Sequence, residues 1–422
     1  MTLEGRRSLR ESTRFRNAQN DRKIYHLAID YGSYYLKYGI DKAKPPIIID
    51  IWSLNLGKCT SVSSKRNAPR HYFMKNSMIE KEDKWAWNII ERATEKILKD
   101  MRNRLSIKND FNGFHVIFSI RFEAPLYMYK KFFDIFRKFS EINLVKAVTA
   151  VQQPVATAIA YRASNCVIVE SGYGSTQILP ITSRIIRGGI IPLNRGGGDM
   201  DALTREILKD AGYCDVAKND LLVREVKERI GAIPIDLEKA IQWAKEHPEK
   251  VRARLKPHSK DIGGEIDLEE HSWRRFLIGE YVFNPKHEIF QSYHIRGFPR
   301  PKEALLGNKV CPGDMPLDEA IIKSIKACCP RVIAMLIKNG AIMLSGGNMA
   351  WRIPKGLEEA AATADQKISY LLLKKGLRIK VELAPDPLTS VWKGCLIYGQ
   401  NLPLDMKWSW DTLDGWKRFG ET

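Results

Sequence analysis

"HLAIDYGSYYLKYGI", residues 26–40, decides how this chain is read. An apolar strand runs into Asp30, turns at Gly32 and Ser33 beside Tyr34, and leaves through a second strand that carries Lys37. A later stretch, "CVIVESGYGSTQILPI" (166–181), repeats the order: apolar strand, Glu170, a turn with Gly172, Tyr173 and Gly174, hydroxyls at Ser175 and Thr176, apolar strand. A glycine two positions after each acid lets backbone N–H groups turn toward an anion with no side chain in the way. Two such turns facing one another predict a cleft that grips a polyphosphate from both sides. Asp30 and Glu170 then face a hydrated Mg²⁺, which takes a few carboxylates, waters and phosphate oxygens. Lys37, on the outgoing strand, returns to the phosphates as a point charge. One acid–x–Gly turn alone is an ordinary hairpin; the duplication carries the reading.

The sequence around each hairpin is also similar. Residues 24–50 read as strands, and 51–80 are polar, basic and poorly periodic, which predicts a small, exposed, mobile subdomain. In "EDKWAWNIIERATEKILKDM" (82–101), Ala86, Ile90, Ala93, Ile97 and Met101 recur at helical spacing. "FHVIFSI" reads as a buried strand, "PLYMYKKFFDIFRKF" as a helix, and "NLVKAVTAV" leads into a helix starting near Pro154. The second hairpin follows, then "NRGGGDMDALTREILKDAGY" and a largely helical stretch to residue 250. Residues 252–268 read as an exposed hairpin and 316–339 as one long helix. "AIMLSGGNM" is a strand ending in a glycine turn, "LRIKVELAPDP" a strand, and "SVWKGCLIYG" opens the last helix. The expected fold is α/β, with two similar lobes, each a central β-sheet flanked by helices.

Composition narrows the class. A chain of 422 residues suggests two or three domains, and 44% apolar content suffices for a real core. No uninterrupted apolar run approaches the ~20 residues needed to span a bilayer. The start is polar and basic and lacks the apolar stretch of a secretion signal, so a cytoplasmic protein is expected, with residues 1–23 a basic, mobile extension. Seven cysteines are scattered without a CxxC pair and read as small buried hydrophobes rather than disulfides or zinc ligands. The net charge of +19 attracts polyanions. The basic residues are spread along the chain, however, so a generally basic surface explains the charge equally well.

The paired hairpins resemble the phosphate-binding hairpins of the actin superfamily, which also holds heat-shock chaperones and sugar kinases. "AIMLSGGNMAW" resembles its adenosine motif, with Gly346 and Gly347 under the nucleotide and Trp351 a flat wall for the base. "LVREVKERIG" is similar to the actin helix whose Lys–Glu pair contacts base and ribose, here Lys227 and Glu228. "LNRGGGDM" resembles the turn beside the nucleotide, with Gly197 the close approach, and "SVWKG" the start of a late actin helix. The likeness spans residues 24–419. Together with "RFLIGEYVFNPKHE", these motifs are most similar to the crenactin family, the filament-forming actins of archaea. The resemblance implies four subdomains around a nucleotide cleft: 24–50, 81–160 and 390–422 as the first, 51–80 the second, 161–195 and 300–389 the third, and 196–299 the fourth.

It also implies ATP and ADP with Mg²⁺ as ligands, and hydrolysis by a water that a glutamine aims at the γ-phosphorus. Gln153 matches that position and Gln152 is its neighbour; the residues alone read as a polar first turn ahead of Pro154. Departures from actin are Glu170 for an aspartate, Tyr173 for an acid, Gln177 for a histidine, Tyr34 for a small residue, and Leu388 near the place of a lysine. The expected function is a cytoskeletal ATPase forming homopolymeric helical filaments, with accessory filament-binding proteins among possible partners. Contact elements would be 51–80 and the segment carrying Ile289, Phe290, Tyr293 and Phe298, unless that segment is tucked onto its own subunit. The runner-up is a non-polymerising basic scaffold for nucleic acid. A sugar or metabolite kinase ranks last, because no further acid stands out to serve a substrate hydroxyl.

Overall fold

The computed structural model describes residues 23–50, 74, 77–105, 110–258, 264–307 and 309–419. The basic extension through Arg22, most of the 51–80 segment and Cys59 lie outside the described residues. Strands β1 (Lys23–Tyr31), β2 (Tyr35–Gly39), β3 (Ile47–Asp50), β4 (Phe111–Ile120) and β5 (Val145–Gln152) build the first sheet. The second contains β6 (Asn165–Ser171), β7 (Thr176–Thr182), β8 (Arg184–Ile185), β9 (Ile191–Leu193), β10 (Ala341–Ser345) and β11 (Lys380–Leu383). A short β12 (Lys417–Arg418) closes the first sheet against β5.

The two sheets share one pattern. β1 pairs antiparallel with β2 and parallel with β4, which pairs parallel with β5. β6 pairs antiparallel with β7 and parallel with β10, which pairs parallel with β11. The register makes the hairpins equivalent residue by residue: Asp30 lies opposite Lys37, and Glu170 opposite Gln177. The central strands are apolar on both faces because helices cover both sides, as parallel pairing requires. Helices α1 (Lys84–Leu105) and α2 (Leu126–Ser140) cover the first sheet, sealing Ile90, Ile97, Phe132 and Phe136 against Leu27, Val116 and Phe118. α3 (Gln153–Ala160) packs on the second sheet's β6. Beyond β9 come α4 (Gly197–Asp210), α5 (Asp220–Ile230) and short helices to Val251.

Residues 316–339 are two helices, α6 (Leu317–Lys326) and α7 (Pro330–Asn339), not one. Pro330 has no N–H to continue α6 and forces Cys329 into an extended conformation, while its fixed φ suits the first turn of α7. α8 (Ala364–Lys374) and α9 (Ser390–Asn401) follow, and α9 packs both on β1 and against α3. Residues 254–255 and 266–267 do pair as a short antiparallel hairpin. The expected contact segment near 290 is tucked onto its own chain: Phe290, Tyr293 and Phe298 are buried, with Phe290 and Phe298 edge-on to Tyr281. The cysteines divide, with Cys166, Cys311, Cys328 and Cys395 buried and Cys214 and Cys329 exposed. Among the described residues no helix is long and apolar enough to cross a membrane.

Candidate functional site

Both hairpins end at a single cleft of about 500 Å³ between the sheets. Its walls include Asp30, Gly32, Ser33, Tyr34, Lys37, Gln153, Glu170, Gly172, Tyr173, Ser175, Gly197, Lys227, Glu228, Gly346, Gly347 and Trp351. Of the residues singled out from the sequence, Gly174 does not line it. A side chain there would strike Ser77 N at 2.8 Å and Ser33 Oγ at 2.9 Å, so Gly174 permits the two hairpins to touch. That touch is a chain of hydroxyls: Ser33 Oγ to Ser77 Oγ at 3.1 Å, and Ser77 Oγ to Ser175 Oγ at 3.0 Å. Ser77, with φ of 60°, comes from the poorly periodic stretch and carried no sequence signal.

The first acid is held on both oxygens. Ser119, on the neighbouring strand β4, donates to Asp30 Oδ1 at 2.6 Å, and Lys37 Nζ donates to Oδ2 at 2.8 Å. Ser119 is in turn fixed by the Tyr31 N–H at 3.1 Å. Lys37 thus forms an ion pair with Asp30 at the wall of the cleft. The second acid repeats the arrangement with one difference. Thr157 donates to Glu170 Oε2 at 3.1 Å and Ser345 lies beside Glu170 in register, but Gln177 takes the place of the lysine. Burial, reinforced by the Asp30 carboxylate, pushes the Glu170 carboxyl up to about 7, against the pull of hydrogen bonds from Ser345 and Thr157.

Gly32 and Gly346 are required by close approach. A Cβ on Gly32 would lie 2.5 Å from the Tyr35 carbonyl oxygen, and one on Gly346 (φ 91°) 2.1 Å from the Ser171 carbonyl oxygen. The Gly172 N–H closes its own turn onto the Ser175 carbonyl at 2.9 Å. Asn348, unnoticed in the sequence, donates to the Gly172 carbonyl at 2.6 Å and ties the glycine turn after β10 to the second hairpin.

Gln153 enters the cleft at the start of α3, and its Oε1 accepts from Gln177 Nε2 at 3.2 Å. The Phe122 N–H fixes Gln177 Oε1 at 2.8 Å, so the pair has a defined orientation. Gln152 turns away toward the Tyr129 hydroxyl. Lys227 and Glu228 reach the cleft with protein partners of their own: Lys227 Nζ sits 2.6 Å from the buried Asp201, and Glu228 Oε1 accepts from Arg224 Nε at 2.6 Å. Trp351 packs so close to Gly231 that a Cβ there would lie 2.6 Å from the indole ring. Leu388, Ile353 and Pro354 line the same cleft together with Arg352, and the hairpins contribute Asp30, Ser33, Glu170 and Ser175 to it.

The donor set fits a hydrated divalent cation. Asp30 and Glu170 end equivalent strands at one cleft, and a cation beside Glu170 would offset the burial that opposes its charge. Among the described residues no group of three or more His, Cys, Asp or Glu side chains could hold a metal. Two carboxylates acting through water suit Mg²⁺ better than zinc. A comparison of the chain with models of known protein families returns no match.

Proposed function

We propose that this chain is an actin-type ATPase that assembles into filaments. The reading is carried by the two register-equivalent, acid-tipped hairpins that meet at one cleft and touch through Ser33, Ser77 and Ser175. The hairpins would take the phosphates, and the Trp351 ring would offer a flat surface to the adenine. Asp30 and Glu170 would hold Mg²⁺ through water, and the cation would supply charge neutralisation on the phosphate oxygens. Gln153, held by Gln177, would orient the attacking water, so positioning accounts for most of the rate. The two lobes lie on either side of the nucleotide, and loss of the γ-phosphate would loosen their closure. Head-to-tail contacts whose rotation does not close would give a helical polymer.

The test is calorimetric titration with Mg-ATP, followed by sedimentation and negative-stain imaging of the same protein. One nucleotide per chain and nucleotide-dependent pelleting of filaments are expected. Gln153→Ala should keep the binding and lower the hydrolysis rate by about 10²-fold, the range typical for loss of a positioned proton-handling or water-orienting group. Salt-sensitive binding of duplex DNA without pelleting would favour the basic-scaffold reading instead.

A further inference from the structure

Arg224 was not selected from the sequence, yet it lines the cleft. It rises from α5 on one side, and its guanidinium carbon lies 3.5 Å from the centre of the Tyr34 ring and 4.7 Å from that of Tyr35. Both tyrosines belong to the first hairpin, in the other lobe. Tyr173, from the second hairpin, completes the group, with its ring 5.2 Å from Tyr34 and 5.6 Å from the Arg224 guanidinium. Glu228, one turn further along α5, fixes Arg224 Nε and holds the guanidinium flat over the tyrosine. Tyr34 is buried and the Arg224 side chain nearly so, at 12% exposure, so the stack is largely dry. A desolvated cation–π contact is stronger than an exposed one.

We propose that Arg224 and Tyr34 form a clasp between the lobes, and that this clasp, in addition to any phosphate contact, sets how fast a bound nucleotide leaves. The inference rests on the reading of the cleft as a nucleotide site. Arg224 is a positioning residue: it acts through the first hairpin, where Gly32 and Ser33 lie just before Tyr34. To leave, a ligand held between the hairpins and α5 needs the lobes to part, and parting separates Arg224 from Tyr34. Tyr34 thereby acquires a role in place of the small residue expected at that turn, because its ring is the surface on which the guanidinium rests. Arg224 Nη1 is buried without a hydrogen-bond partner, so the stack and Glu228 are its main holds.

Two measurements on the full chain decide the matter. The first is hydrogen exchange without nucleotide, read at the amides of residues 31–36. Arg224→Leu and, independently, Tyr34→Leu should each speed exchange there by about ten- to thirtyfold, the equivalent of one largely desolvated cation–π contact. The second is dissociation of a fluorescent ATP analogue with Mg²⁺. Both variants should raise the dissociation rate about tenfold with association little changed, and the double variant should be no faster than either single one. Arg224→Lys, which keeps a cation above the ring, should fall between parent and Arg224→Leu. Unchanged exchange overturns the clasp. Faster exchange with unchanged dissociation overturns its control of nucleotide release. If the parent takes up no nucleotide, the functional reading falls and the release claim with it, while the exchange measurement still decides whether the clasp exists.

Discussion

Glu170 is the most consequential single residue in the cleft, because its environment opposes its charge. The fold prefers its protonated form and lifts the carboxyl to about 7 from an ordinary value of 4.5. Its contribution to stability is therefore fully present below 4.5 and is lost as the pH rises through 7. At about 1.4 kcal/mol per pKa unit, this amounts to about 3 kcal/mol without a cation. Glu170→Gln keeps the shape and removes the titration. The parent should thus lose stability relative to Glu170→Gln between pH 5 and 8, and Mg²⁺ with ATP should reverse that loss in the parent alone. Thermal midpoints of the two proteins across that range check it; parallel curves would show that burial does not govern Glu170. The acid itself was legible, since an apolar strand, an acid and a glycine at fixed spacing occur twice. Its elevated carboxyl was not, because burial raises it with help from the Asp30 carboxylate, and both depend on how distant segments pack around the cleft. Asp201 and Arg224, the partners of Lys227 and Glu228, were hidden for the same reason. Charged residues on amphipathic helices ordinarily face solvent, and only the fold buries Asp201 against Lys227 and brings Arg224 to the cleft.

At the level of elements, α3 crosses α9, which packs on β1 of the first sheet, while α3 also packs on β6 of the second. Gly394 of α9 lies against Ala156 of α3 so closely that an added Cβ would sit 1.7 Å from the Ala156 carbonyl oxygen. Backbone cannot yield as a flexible side chain would, so Gly394→Ala must push the helices apart. Around the crossing, Ala28, Ile117, Val391, Cys395 and Leu396 form a small core that the displacement would loosen. Overpacking of this kind costs about 1–3 kcal/mol, and more where backbone blocks relaxation. Urea denaturation should show Gly394→Ala at or beyond the upper end of that range, and a parent-like midpoint would mean that the crossing is slack. The sequence announced α9 but not this contact, because a glycine in "SVWKGCLIYG" reads only as a weak helix position. The break between α6 and α7 was missed for the opposite reason. Apolar periodicity runs on through both helices, and a proline that ends one helix is also a good first-turn residue for the next. Strands were easier to read, since the acid-tipped runs carry both their length and their turn within a few residues.

Across the whole molecule, two large cores carry the fold. One lies between the first sheet and helices α1 and α2; the other joins the second sheet to the helices that follow it. Among the described residues, α3 joins two smaller clusters: Ala156 packs with α9 and the first sheet, and Ala158 with the second sheet around Ile168. The serine chain and the Arg224–Tyr34 stack add links on the cleft side. These links are few compared with the contacts within each lobe, so coupling between the cores is weaker than cooperativity within either. Multidomain chains of this kind depart from two-state unfolding. A ligand held by both lobes would bind only when both are folded, and at a hundred times its dissociation constant it would add about 3 kcal/mol to that joint state. Scanning calorimetry of the nucleotide-free protein should therefore give two overlapping transitions, with a van't Hoff enthalpy below the calorimetric one. Saturating Mg-ATP should merge them into a single transition at higher temperature. Arg224→Leu should widen the separation without nucleotide, because it removes a link between the lobes and leaves both cores intact. One sharp transition with equal enthalpies in the free protein would mean that the lobes are already a single cooperative unit, and that the cleft does not divide the molecule energetically.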